Sequence, residues 1–233
     1  MSRASATRKS KRRRSERLVE VGPGIVQASV EDILAAIQAV DPDLPWSEAA
    51  EELVPVFPRR RPMPPGIPDT VLVQRGPGFE VGMGIDIGPA FLYVTQQLLD
   101  RWGMEADDAF DRAVANVRDR CATRRLEPPH QGQVGDVPTT WFQSGEGICS
   151  AMLLIPDEIG SRLGRHAQYL IAPMRDLLVS IPLEAGLGYA TWLREAIAED
   201  DPNCLDLPVF TLIRDDLRIA SAKEHHVVSG PVH

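Results

Sequence analysis

The chain has little of what marks an obvious functional class. No apolar stretch approaches the roughly 20 residues that span a bilayer; the longest runs, Ala151 to Pro156 and Tyr169 to Pro173, have strand length. The first residues are charged with no apolar segment after them, so a secretory signal is not expected. Aromatic residues make up only 6%. Cysteine is limited to Cys121, Cys149 and Cys204, far apart, odd in number and without a CxxC pair. These read as reduced thiols of a cytoplasmic protein, mostly in its core. The five histidines, His130, His166, His225, His226 and His233, form no H-E-x-x-H or Cys/His spacing. Neither a metal nor a cofactor is therefore expected. No serine lies in a G-x-S-x-G elbow. The glycines at Gly76, Gly78, Gly82 and Gly84 lack the G-K-[ST] ending of a phosphate loop.

What is present is globular in kind. Of 233 residues, 43% are hydrophobic and 25% charged, enough to bury a core. Charge is unevenly spread. Met1 to Arg17 holds eight basic residues, Arg3, Arg8, Lys9, Lys11, Arg12, Arg13, Arg14 and Arg17, against Glu16 alone, a net +7. The whole chain carries −8, which leaves −15 on the remainder. An acidic body repels nucleic acid and anionic membrane. Weak nonspecific polyanion binding is accordingly assigned to Arg8, Lys9, Lys11, Arg12, Arg13, Arg14 and Arg17. The stretch has no aromatic residue to stack on bases, and a solubilising arm is an equally simple reading.

Four segments are expected: a disordered basic tail (1–22), a helical lead with a proline-rich connector (23–68), an α/β body (69–222) and a loose C-terminal tail (223–233). In the lead, Ser29 is placed to cap a helix with Val30, Ile33, Leu34 and Ile37 on its apolar face, and a second helix runs from Ser47 to Leu53. Pro55 to Pro68 holds six prolines and reads as extended. In the body, strands are expected at Thr70–Arg75, Phe79–Ile87 and Ala90–Val94. Thr95 caps a helix closed by Gly103. Asp107–Arg120 is the best helix, with Phe110, Ala113, Val114 and Val117 on one face. Arg124–Val137 reads as loop. Thr139–Gln143 and Ile148–Leu154 read as a strand pair. A helix opens at Pro156, hairpins surround Met174–Asp176 and Asp215–Asp216, and a helix covers Leu187–Glu199. Irregular alternation with several hairpins gives an α+β (mixed α/β) fold, a mixed or antiparallel sheet with helices packed on it.

The order of four motifs resembles the YtpQ-type family of uncharacterised bacterial proteins, over roughly Leu53 to Ala220. These are Leu53-Val54-Pro55-Val56 before an Arg/Pro segment, Asp86-Ile87-Gly88 followed by Thr95 to Gly103, Ala113-Val114-Ala115-Asn116-Val117, and Ile171 to Val179 around Arg175-Asp176. The resemblance implies a bacterial cytosolic α/β domain and carries no activity, cofactor or catalytic residue.

Three residues stand out as weak candidates for a site. Gly84-Ile85-Asp86-Ile87-Gly88 has the look of a phosphate hairpin of actin-like ATPases, where the Asp holds a metal-bound water. The second hairpin and the adenosine site of that fold are missing, and a strand ending in a turn accounts for the same residues. Arg175 and Asp176 sit between two apolar strands. Such a pair is suited to orienting a carboxylate or phosphate, and equally to a local ion pair or to bonding turn amides. Arg59 to Pro65 fits a basic, proline-spaced peptide that docks on aromatic grooves, or a rigid connector. The expected function is a non-catalytic binding or adaptor domain for an unknown protein partner. The alternative is an enzyme acting on a phosphorylated or carboxylate substrate with Asp86, Arg175 and Asp176 lining its site.

Overall fold

The computed structural model describes residues 30–41, 43–60, 70–75, 78–88, 90–201 and 204–221. The basic stretch, Ser29, the proline-rich residues 61–69 and the C-terminal residues 222–233 lie outside them. Six helices and two antiparallel sheets are found among the described residues. The helices are α1 (Val30–Ala39), α2 (Trp46–Glu52), α3 (Gln96–Trp102), α4 (Ala106–Thr123), α5 (Pro156–Leu163) and α6 (Leu187–Asp200). The strands are β1 (Leu53–Val56), β2 (Val73–Arg75), β3 (Phe79–Asp86), β4 (Phe91–Tyr93), β5 (His130–Val134), β6 (Val137–Phe142), β7 (Gln168–Met174), β8 (Leu177–Pro182), β9 (Phe210–Ile213) and β10 (Asp216–Ile219). This is an α+β fold.

The smaller sheet has the order β1-β3-β2, with β4 also paired to β3. The larger has the order β10-β9-β7-β8-β6-β5. One face of the larger sheet, through Phe142, Leu170, Leu178, Phe210 and Leu212, shares a core with the smaller sheet and α4. Its other face, through Tyr169, Ile171, Val179 and Ile181, packs under Ala190 and Leu193 of α6. Both faces are therefore covered. That is why β7 and β8 read as continuous apolar runs rather than alternating ones.

Helix α4 follows from its sequence. Asp107 and Asp108 sit in its first turn and Arg120 in its last, matching the helix dipole. Ala109, Phe110, Ala113, Asn116, Val117 and Cys121 recur at three- and four-residue steps and are buried. Val114, expected on the same face, is only partly buried. Helix α3 is capped as anticipated: Thr95 Oγ1 accepts the Leu98 N–H at 3.3 Å, and Gly103 ends the helix with φ 63°.

Four expectations need correction. Leu53 to Val56, placed across a helix end and a connector, is a fully buried strand paired to β3. Its proline is Pro55, opposite Met83, and β1 lies at a sheet edge, where a missing N–H is tolerated. Ile148–Leu154 is not a strand: Ser150–Leu154 forms a 3₁₀ turn, and β6 pairs instead with β5 and β8. An apolar run of that length carries no period by which to tell the two apart. Residues 130–134, read as loop, form the exposed edge strand β5, which lacks an apolar face. Ile37, assigned to the apolar face of α1, is exposed.

Close approach requires a glycine in β3. A Cβ on Gly82 would lie 2.5 Å from Thr70 Cγ2. Thr70 uses this space to bond strand backbone, its hydroxyl lying 3.1 Å from the Met83 carbonyl and 3.0 Å from the Val94 carbonyl.

Asn116 is the polar residue on the buried stripe of α4. Its Nδ2 donates to the Ala50 carbonyl at 2.7 Å and to the Leu53 carbonyl at 2.9 Å. It thereby ties the α2–β1 junction to α4. Replacing Asn116 by Leu leaves two carbonyls without this donor, and unfolding by urea is expected to show a loss of about 1–3 kcal/mol.

Candidate functional site

Asp86 is the last residue of β3, and Gly88, with φ 84°, turns the chain after it. The Gly88 N–H donates to Asp86 Oδ1 at 3.0 Å. The other oxygen, Oδ2, accepts from Arg120 Nη1 of α4 at 2.7 Å and from Arg175 Nη2 of the β7–β8 turn at 3.4 Å. Arg120 extends the chain of charges outward, donating through Nη2 to Glu52 at 2.9 Å. The Asp86 and Arg120 side chains are only 13% and 11% exposed, so this pairing takes place largely out of water.

Arg175 is held on three sides. Its guanidinium carbon lies 3.2 Å from the centre of the Phe91 ring, a cation–π contact. Its Nε donates to the Gly147 carbonyl at 2.8 Å. A Cβ on Gly147, which has φ 67°, would fall 2.7 Å from that same guanidinium carbon. Glycine is thus needed there both for backbone conformation and for space. Burial pushes the Arg175 guanidinium down to about 10, against the opposing pull of Asp86 and Asp176.

Asp176 has a different task. Its Oδ1 accepts from the Ser144 N–H at 3.2 Å and from the Ser144 hydroxyl, and its Oδ2 from the Gly145 N–H at 2.8 Å. Ser144 Oγ in turn accepts the Glu146 and Ile148 N–H groups at 3.1 and 3.3 Å. The carboxylate folds the 144–148 loop against the turn that carries Arg175. Beneath that loop, burial pushes the Cys149 thiol far above its ordinary range, with Asp176 adding to the effect. A protonated buried thiol is a poor nucleophile.

The three sequence candidates therefore sit close together, but their polar groups are turned toward each other and toward the loop. Asp86 directs its carboxylate to two guanidinium groups and an N–H. Among the described residues, no group of three His, Cys, Asp or Glu is arranged to hold a metal ion. Sequence reasoning missed Arg120, Phe91, Ser144 and Gly147. Arg120 carried one usable signal, a long basic side chain one helical turn beyond Asn116 on α4. Gly147 carried another, a glycine in a loop between apolar segments.

None of Asp86, Arg175 and Asp176 lines either of two cavities, although Arg120 and Glu52 of the same charge network border the smaller one. A polar cleft of about 250 Å³ runs between α2 and the C-terminal half of α4, with Glu52, Asn116 and Arg120 in its walls. An open groove of about 800 Å³ lies between α4 and the β9–β10 hairpin. Its floor is apolar, made by Phe110, Val114, Leu153, Leu154 and Leu217. Its rim carries both signs of charge, Arg75 and Arg118 against Asp111 and Asp215. Arg118 is fixed in place by Asp157, its two terminal nitrogens donating at 2.8 and 3.0 Å.

Removing the Asp86 charge leaves two part-buried guanidinium groups without their shared anion, although Arg120 keeps Glu52. Asp86→Asn is expected to cost about 1–3 kcal/mol in a denaturant titration. A change within the scatter of surface substitutions would show the cluster to be solvated. Compared with protein-family models, with curated proteins and with solved structures, the chain gives no match.

Proposed function

We propose that the chain is a non-catalytic binding or adaptor domain of the bacterial cytoplasm, and that it takes a short amphipathic segment of a protein partner in the groove between α4 and the β9–β10 hairpin. The observation that carries this reading is the groove itself, whose apolar floor is left open by Val114 and Leu217. Its rim suits a segment with apolar side chains on one face and charges of both signs flanking them. The chemistry of the charged cluster supports the same conclusion, because Asp86, Arg120 and Asp176 already bond groups of the protein. The three cysteines are free and buried, in keeping with a reducing compartment. The YtpQ-like order of motifs is compatible with this assignment and adds no activity to it.

Ala115 lines the groove from α4 and tests the proposal. In Ala115→Arg, a bulky helix-forming side chain fills the groove. Loss of a partner that photo-crosslinks to groove positions in the wild type, with thermal melting unchanged, is the expected result. Full retention of that partner by the variant removes the groove from the reading.

One observation favours a second reading, an enzyme acting on a phosphorylated or carboxylate substrate: Arg175 approaches Asp86 to 3.4 Å. It requires the substrate to displace contacts that hold the two sheets together.

Polyanion binding through Arg8, Lys9, Lys11, Arg12, Arg13, Arg14 and Arg17 is a separate proposal resting on charge density alone. Deleting residues 1–17 is expected to abolish retention on a DNA column at low salt. Retention by the shortened, acidic protein assigns the binding to the body.

A further inference from the structure

Strand β10 closes one end of the larger sheet and pairs only with β9 among the described strands. The Ala220 N–H donates to the Val209 carbonyl at 2.9 Å, which marks that pair as a bonded one. Bonded and non-bonded pairs alternate along an antiparallel ladder. Arg218–Thr211 and Asp216–Ile213 are therefore the next bonded pairs of the hairpin, and Leu217 and Ile219 turn their N–H and C=O groups to the outer side. Among the described residues no strand pairs with that side, and residues 215–218 border the open groove. Ile219 is 40% exposed.

Exposed edges are usually blunted by proline, a bulge or charges of one sign. β10 carries instead one charge of each sign, Asp216 and Arg218, placed symmetrically about Leu217. Both side chains are more than half exposed and pair with each other at 2.5 Å within the strand. This arrangement is self-complementary. A second β10 laid antiparallel about a two-fold axis at Leu217 sets Leu217 opposite Leu217 in a bonded pair. Asp216 then faces Arg218 of the second copy, and Arg218 faces Asp216 of that copy, in the flanking non-bonded pairs where side chains lie closest. We propose that the β10 edge is a homodimer interface, joining two larger sheets into one continuous sheet through this Asp-Leu-Arg register. An isologous contact of this kind closes on itself. Pairing β10 to the opposite edge strand, β5, would instead propagate without end. The proposal goes beyond the groove reading, because it uses the main-chain edge of β10 rather than the side chains of α4.

Charge-swapped variants of the full chain test it by sedimentation velocity and light scattering at tens of micromolar. The wild type is expected to be a dimer. Asp216→Arg alone and Arg218→Asp alone place like charges opposite each other, and each is expected to loosen the dimer by on the order of tenfold or more. An equal mixture of the two single variants restores dimers, as does the double variant D216R/R218D on its own. Circular dichroism checks that each variant remains folded. A monomeric wild type, or single variants as dimeric as the wild type, overturns the proposal. So does a foreign strand crosslinked along β10 of a monomeric protein. Asp216 and Arg218 also border the groove, so the groove-partner crosslink is measured in the same variants; loss of the dimer with the crosslink retained, or of the crosslink in Ala115→Arg with the dimer retained, separates the two readings.

Discussion

A single carboxylate holds the two sheets in register with α4. Asp86 ends the central strand of the smaller sheet, Arg120 belongs to the helix beside it, and Arg175 belongs to a turn of the larger sheet. The apolar contacts between these layers are non-directional and set only how closely they approach. The guanidinium forks add direction, since each donates along a fixed plane toward one oxygen. Phe91, stacked on the guanidinium, and the Gly147 carbonyl, which accepts its Nε–H, then fix the orientation of Arg175. Asp176 reinforces this at one remove by bonding the loop that holds Gly147. A motif with the look of a phosphate hairpin thus serves as a joint between layers, and the charges that made it conspicuous neutralise one another.

The groove is the complementary feature. Helix α4 buries one stripe under the smaller sheet and turns the adjacent stripe, through Val114 and Ala115, toward the β9–β10 hairpin without meeting it. The protein closes its core where alanine and phenylalanine interdigitate and leaves an apolar strip beside it. An apolar surface rimmed by charge is where binding gains the most from excluding water.

Much of the architecture was legible because local chemistry agreed with tertiary need. Thr95, Gly103 and Pro156 mark helix ends by capping and by fixed φ, and the structure puts the ends there. The hairpins expected around Met174–Asp176 and Asp215–Asp216 follow from polar residues between apolar runs; the second turn sits one residue earlier, at Arg214–Asp215, and Asp216 opens β10 opposite Ile213. The failures have one physical origin. β1 is buried throughout and the turn at Ser150–Leu154 is buried up to Leu153, so no period survives in their sequence, while β5 is exposed except at Val134 and offers none to read. The candidate cluster was half legible: Asp86, Arg175 and Asp176 could be picked out as charges at strand ends. Their partners were harder to pick out: Arg120 lies one helical turn beyond Asn116, but it reads as an ordinary last-turn cation until the fold brings residues 34 positions apart into contact.

The larger sheet is built from three hairpins, β5–β6, β7–β8 and β9–β10, each joining neighbours in sequence. Loop-closure entropy is small for each of them, and hairpins of this size form on a timescale of about 1–10 μs. Joining the hairpins requires contacts between distant parts of the chain, which carry the larger loop-closure cost. The contact between Arg175 and Asp86, 89 positions apart, is of this second kind, so the joint between the layers depends on both sheets being in place.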